Sequence, residues 1–353
     1  MKIPGEDLRG SWAATEFVAW YNGHPDFHDL AIDLSTHRAV VVGNGNVAID
    51  VARMLALSID ELAKTDIADH ALEVLRESEV EEIVLLGRRG PLQAAFTTPE
   101  LLELGELSDA DVTVDPDELE LDEHSERALG EAGGTQRRNL EVLRELAERK
   151  SRGKKRRIVL RFLASPVALR GTDGVTAVEL VRNELRRTPD GALVARPTEQ
   201  RELQEAGLVF RSIGYRGTPI DGVPFDTDTG TIPNAAGRVL DPDTDEVRAG
   251  EYVAGWIKRG PSGVIGTNKR DAQQTVDALL DDLAAGHLRP ANDLQPGGIQ
   301  ALLDQRGLRW VDYSGWETID AAECEAGTPH GRPRVKLCSF DALLGVTSSV
   351  RNS

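Results

Sequence analysis

Cysteine is nearly absent. The 353 residues hold only Cys324 and Cys338, too few for a disulfide framework or a zinc cluster, and no Cys-x-x-Cys occurs. Covalent thiol chemistry is thereby set aside, no metal site is expected, and a reducing, cytoplasmic setting fits best. No run approaches the ~18 to 20 consecutive apolar residues of a membrane span. The start, Met1-Lys2-Ile3-Pro4-Gly5-Glu6-Asp7, lacks the apolar core of a signal peptide. Positive charge is also short: 41 basic against 59 acidic residues give −18, which argues against nucleic acid as the main partner. One stretch runs the other way, Gln136 to Arg161, with eleven Lys or Arg against three Glu. Such a run suits the docking of an acidic partner, and it equally suits a solvated helix and loop.

What the chain does have is an ordinary globular composition, 40% hydrophobic and 28% charged. Its length exceeds one typical core and predicts two domains. His37-Arg38-Ala39-Val40-Val41-Val42 reads as a buried parallel strand. It runs into Gly43-Asn44-Gly45-Asn46-Val47-Ala48 and a helix over 49–57. An acidic helical stretch is expected over 59–79, then a second buried strand over 83–86 that closes on Gly87-Arg88-Arg89-Gly90-Pro91. A helix follows over 99–107, and 109–131, acidic and without apolar period, reads as a surface segment. The pattern continues with a helix over 137–150 and strands over 158–162, 175–181 and 208–213. Residues 216–245 read as loops and short hairpins. A strand over 251–256, a glycine-rich turn and a helix over 268–285 form a second strand–turn–helix unit, with outer helices from 295 onward.

A G-x-G-x-x-A turn between strand and helix sets backbone N–H groups and a helix start against a pyrophosphate. Gly43 permits the tight turn, Gly45 lets the phosphate approach the backbone, and Ala48 lets helix and strand pack closely. Without a ligand the same residues would make a plain tight connection. Cofactor choice is read at the end of the second strand, where an NAD site carries a carboxylate for the ribose 2′-hydroxyl. Here stand Arg88 and Arg89, which suit a 2′-phosphate, so NADP is expected over NAD. The gap from Gly45 to Arg88 is about twice the usual ~20 residues, an excess assigned to the helix inserted over 59–79.

Taken together, these segments resemble adrenodoxin-reductase-type ferredoxin–NADP reductases. The likeness lies in Gly43 to Arg53, in Gly87-Arg88-Arg89-Gly90-Pro91-Leu92-Gln93-Ala94-Ala95-Phe96-Thr97 and in Gly255-Trp256-Ile257-Lys258-Arg259-Gly260-Pro261-Ser262-Gly263-Val264-Ile265-Gly266. Ser212-Ile213-Gly214-Tyr215 and Pro329 to Leu337 agree as well, and the likeness runs from Ile3 to near Leu344. It implies NADP, FAD and an acidic ferredoxin-type iron–sulfur partner, with hydride passing between NADPH and flavin and single electrons leaving to the protein. Asn44, Gly45, Asn46 and Val47 would then hold the NADP pyrophosphate, Arg88 and Arg89 the 2′-phosphate, and Glu100 would assist on the NADP side. Trp256 would cover the FAD, and Gly263, Val264 and Ile265 would give it backbone contacts, Gly263 also touching the nicotinamide side. Glu103 would take part in proton handling near the flavin, or be an exposed helix carboxylate. Arg137 and Arg138 would face the ferredoxin.

One departure shapes the expected architecture. The family opens with a flavin-binding βαβ unit bearing its own G-x-G-x-x-G, and the Ile-Pro-Gly-Glu-Asp segment comes after it. In this sequence that segment is residues 3–7. The expectation is therefore an α/β chain with a Rossmann-like NADP-binding domain inserted in an incomplete FAD-binding domain of the two-dinucleotide-domain flavoprotein type. Residues 1–211 would form the NADP domain, the first ~10 being linker, and 212–353 the later part of the FAD domain. The alternative is a truncated NADP-binding remnant without FAD or turnover.

Overall fold

The computed structural model describes residues 1–131, 133–189, 191–261, 263, 265–288 and 297–351. It divides into two compact units, Met1–Ile213 with Val311–Ser353, and Gly214–Trp310. Residues 311–353 group with the first unit.

The first unit is built on β1 (Ser11–Ala13), β2 (Arg38–Val42), β3 (Glu82–Gly87), β4 (Ala110–Val114), β5 (Arg156–Phe162) and a later strand, Leu208–Arg211. These six form a parallel sheet in which Leu208–Arg211 lies between β1 and β2, followed by β3, β5 and β4. Successive side chains of a strand point to opposite faces, and both faces here are covered. Ala39, Val41, Ile83, Leu85, Ile158 and Leu160 join the helical core, while Val40, Val42, Val84 and Leu86 meet a three-stranded antiparallel sheet. That sheet is β6 (Ala164–Arg170), β7 (Ala177–Arg187) and β8 (Leu193–Glu205), which makes Leu208–Arg211 β9. Burial on both faces is why the strands read as unbroken apolar runs.

The helices on the other face are α1 (Ala14–Tyr21), α2 (Asn46–Ala56), α3 (Ile59–Leu62), α4 (Asp69–Arg76), α5 (Thr98–Gly105) and, after α6 (Glu123–Glu131), which packs against β7, α7 (Gly134–Glu148). Ala48, Ile49, Val51, Ala52 and Leu55 of α2 are buried, the spacing of a helix with one face on a core. The single helix expected over 59–79 is two, α3 and α4. Arg332 donates to the carbonyls of Thr65 and Ile67 in the break between them and pairs with Asp69, so a distant cation satisfies the orphaned carbonyls there.

The acidic segment 109–131 is likewise not all surface. Its first part is the edge strand β4, with Val112 and Val114 in the core. Asp111 interrupts the apolar pattern, yet it is 7% exposed. Its carboxylate accepts from Ser151 Oγ at 2.7 Å, Arg152 N at 2.9 Å and Arg152 Nε at 3.2 Å. Burial pushes the Asp111 carboxyl up, but these bonds and the backbone N–H of Lys154 outweigh it and bring it to about 2. A carboxyl depressed in the fold stabilises above its unfolded value near 4 and loses that contribution as pH falls through about 2. Asp111→Asn should therefore cost about 2 kcal/mol at pH 7. Its deficit against the parent in thermal melts should shrink as pH drops from about 4 to about 2; a deficit constant with pH would contradict the assignment.

Part of the basic run is engaged by the fold, while most of its side chains stay exposed. Arg156 is buried against the carbonyls of Val80 and Leu57, and Arg152 serves Asp111. Arg157 shares Glu82 with Arg38. Arg161 pairs with Glu118 at 2.7 Å and with Glu202 at 2.7 Å.

The second unit holds β10 (Asn234–Ala235), β11 (Arg238–Leu240) and β12 (Val247–Tyr252) in an antiparallel sheet around Ile232, Val239 and Val253. α8 (Trp256–Arg259), α9 (Ile265–Ala284) and α10 (Gly298–Gln305) follow. The strand expected over 251–256 ends early, because Gly255 at φ +80° turns the chain into α8. Arg238 pairs with Asp282 at 2.8 Å, and Lys258 with Asp271 at 3.0 Å, which join the sheet and α8 to α9. The first unit is completed by α11 (Tyr313–Gly327) and α12 (Phe340–Arg351).

Candidate functional site

The turn from β2 to α2 is fixed by backbone geometry. Gly43 sits at φ +130°, and a Cβ there would lie 2.1 Å from the carbonyl oxygen of Ser212. Its N–H donates to Leu86 O at 2.9 Å, which carries the ladder one residue past the end of β2. Gly45 is the N-cap of α2, and no side chain caps that helix. There is no acidic residue in its first turn, and no atom lies within 4 Å of where a Gly45 Cβ would be. A helix start with uncapped N–H groups, no competing carboxylate and open space above it fits a diphosphate.

Two asparagines tie the turn to the segment after β3. Asn44 accepts from Ala95 N at 3.2 Å, and Asn46 Oδ1 accepts from Thr97 N at 2.8 Å. A Cβ at Gly87 would lie 2.6 Å from the Asn44 side-chain amide, so any larger residue at the end of β3 requires Asn44 to move. Val47 is half-buried against the helical core.

Arg88 and Arg89 follow β3 directly, Arg88 exposed and Arg89 half-buried. Among the described residues neither guanidinium has a hydrogen-bond or ion-pair partner. Burial, and secondly the charge of Arg88, hold Arg89 below its usual basicity. Two adjacent cations without a carboxylate are an incomplete electrostatic arrangement that a dianionic phosphate completes. The residues present therefore fit the adenosine end of NADP rather than of NAD.

Glu100 and Glu103 both lie on α5, and Arg53 of α2 reaches them at 3.4 Å and 3.0 Å. Asp50, one turn earlier on α2, stands 3.8 Å from the same guanidinium. Burial and the charges of Glu100 and Glu103 raise the Asp50 carboxyl, with Arg53 opposing. Asp50 and Arg53 were absent from the sequence-based site. Their i, i+3 spacing on the helix that follows the glycine turn was the available signal.

Arg137 and Arg138 are exposed at the start of α7. Arg137 donates to Gly130 O at 2.9 Å, and Arg138 pairs with Glu141 at 3.1 Å and Glu145 at 3.4 Å. The helix is anchored beneath them by buried Asn139, which donates to Phe96 O at 3.0 Å and accepts from Thr98 at 2.6 Å.

In the second unit, Trp256 opens α8, the residue 41% exposed and its ring centroid 5.1 Å from that of Tyr215. Gly263 is exposed at φ +88°. An uncovered indole and a glycine backbone of this kind fit a planar aromatic group such as a flavin. Val264 lies outside the described residues, as does the side chain of Ile265, the first residue of α9.

Sheet, helix start and paired arginines make up a dinucleotide-binding α/β fold whose residues fit a 2′-phosphorylated cofactor. No family model matches the chain. It is 49% identical over 350 residues to NADPH-ferredoxin reductase FprA of Mycobacterium tuberculosis, covering 98% of this chain and 75% of that protein. It is 36% identical over 359 residues to the mitochondrial NADPH:adrenodoxin oxidoreductase of Arabidopsis thaliana, covering 98% and 74%. The solved structure of Mycobacterium tuberculosis FprA in complex with NADPH superposes with a TM-score of 0.88 at 49% identity, over 99% of this chain and 76% of that one. The chain belongs to the NADPH–ferredoxin reductases of the adrenodoxin-reductase type.

Proposed function

We propose that the chain is a ferredoxin–NADP(+) reductase in which Arg88 and Arg89, without a carboxylate partner among the described residues, select NADPH. That pair is the observation that carries the reading. Asn44, Gly45, Asn46 and Val47 seat the diphosphate at the start of α2, and Glu100 bounds the site from α5. FAD, when bound, exchanges a hydride with the nicotinamide and passes electrons singly to the iron–sulfur partner. Trp256 covers the flavin, and Gly263, Val264 and Ile265 contribute backbone contacts, Gly263 also on the nicotinamide side. Glu103 handles the proton, in a cluster where Arg53 holds it beside Glu100 and a carboxyl, Asp50, whose proton affinity is raised. Arg137 and Arg138 steer an acidic ferredoxin, their own contacts being a carbonyl and two surface glutamates that a denser negative partner can displace.

No described helix is long and apolar enough to cross a membrane. We place the activity in the cytoplasm, a setting that Cys324 and Cys338, both free, suit. Identity to reductases near half the residues weighs against a remnant without turnover. The test is reduction of an acidic ferredoxin by the full chain supplied with FAD and NADPH. Bleaching of the iron–sulfur absorbance, two ferredoxins per NADPH, is expected and should weaken with salt. Chain that binds NADPH yet leaves ferredoxin oxidised would contradict the proposal.

A further inference from the structure

The arginine pair lies just past the last rung of the β3–β5 ladder, where Gly87 faces Phe162. An unsupported segment there would let two repelling guanidinium groups swing apart into solvent, and the order would have to be imposed by the ligand. The backbone is not unsupported. Leu163, in the left-handed region at φ +53°, turns its N–H onto Arg89 O at 3.0 Å. Asn183 of β7, only 5% exposed, donates from Nδ2 to Arg88 O at 2.9 Å and to Ser165 Oγ at 2.7 Å. Its own N–H donates to Leu163 O at 2.6 Å. Both amide hydrogens of Asn183 are thus used, and two successive arginine carbonyls are held from one crossover and one strand. The register of β7 shifts between Val181 and Asn183, and such a bulge re-aims a side chain.

We propose that Asn183, through Arg88 O and Leu163, is a positioning residue for cofactor selection: it holds the Arg88–Arg89 backbone so that both guanidinium groups meet the 2′-phosphate without reordering. This rests on the reading of that pair as the 2′-phosphate site. Preorganisation of this kind strengthens binding by removing the ordering cost from the association step. It acts only on a ligand that uses the arginines. The diphosphate seat at α2 hangs on Gly43, Gly45 and the two asparagines, none of which shares a hydrogen bond with Asn183. NADPH should therefore respond to Asn183 and NADH should not.

The experiment is calorimetric titration of the full chain with NADPH and with NADH, in the parent, in Asn183→Leu and in Arg88→Ala/Arg89→Ala. Loss of one hydrogen bond's worth of order predicts that Asn183→Leu weakens NADPH about fivefold and leaves NADH unchanged. A purely structural role would lower both affinities alike, or only the melting temperature, and either result overturns the proposal. If the double arginine variant loses the NADPH preference while Asn183→Leu keeps it, the positioning role alone is refuted. If the double variant keeps the preference, the 2′-phosphate reading falls and takes this proposal with it. Should Asn183→Leu fail to fold, Ser165→Ala, which removes the acceptor that orients the amide, must lower the NADPH-to-NADH affinity ratio in the same direction. An unchanged ratio there is equally decisive against it.

Discussion

Replacing Arg88 and Arg89 together by alanine is expected to weaken NADPH binding by roughly 100-fold or more and to leave NADH binding nearly as it was. Each hydrogen bond between charged groups contributes about 1.5 to 3 kcal/mol, and every 1.4 kcal/mol is about tenfold in affinity. Two such arginines on one phosphate therefore set the scale. Neither side chain has a hydrogen-bond or ion-pair partner among the described residues. Removing them breaks no hydrogen bond or ion pair among the described residues, and it takes away the cost of burying the Arg89 cation beside the charge of Arg88. The melting temperature should accordingly stay level or rise slightly. An affinity ratio between the two nucleotides that survives the double substitution would refute the assignment.

Gly43→Ala is expected to be the most damaging single change at the turn. A methyl group would lie 2.1 Å from the Ser212 carbonyl oxygen, at φ +130°, where an L-residue is strained in any case. Backbone opposes it on that side, so relief requires moving β9 away from β2, whose pairing continues to Arg211. A loss of about 3 kcal/mol or more, together with most nucleotide affinity, should follow. Gly45→Ala makes the contrast. At φ −94° and with nothing within 4 Å of its Cβ, that variant should melt like the parent while still losing nucleotide affinity, since the space it fills is the one a phosphate needs. Equal melting temperatures for the two variants would contradict this division between fold and site.

Much of this was legible in the sequence, for physical reasons that can be named. The strands β2 and β3 are buried on both faces, so their apolar runs admit little else. The glycine turn is legible because Gly43, at φ +130° and against the Ser212 carbonyl, has no room for a side chain. Arg88 and Arg89 stand out because nothing acidic accompanies them. The parts that stayed hidden depend on partners far away in the chain. Strand β4 carries a charged residue, Asp111, and becomes interior only because residues 151–154 wrap its carboxylate. The break between α3 and α4 is filled by Arg332, 267 residues beyond Thr65. Asn183 has no local motif at all: its role exists only through a bulge that turns it toward a carbonyl 95 residues earlier. Within the basic run, charge counted along a sequence does not reveal that Arg156 is buried against two carbonyls or that Arg152 and Arg161 pair with Asp111 and Glu118.

The measurement closest to the central claim is the pair of dissociation constants of the unaltered chain for NADPH and NADH, taken side by side at one salt concentration. The two nucleotides differ only in the group that the arginines are held to receive. A preference for NADPH of at least about tenfold, fading as salt screens the phosphate, is the predicted result. Equal affinities would contradict the account at its base.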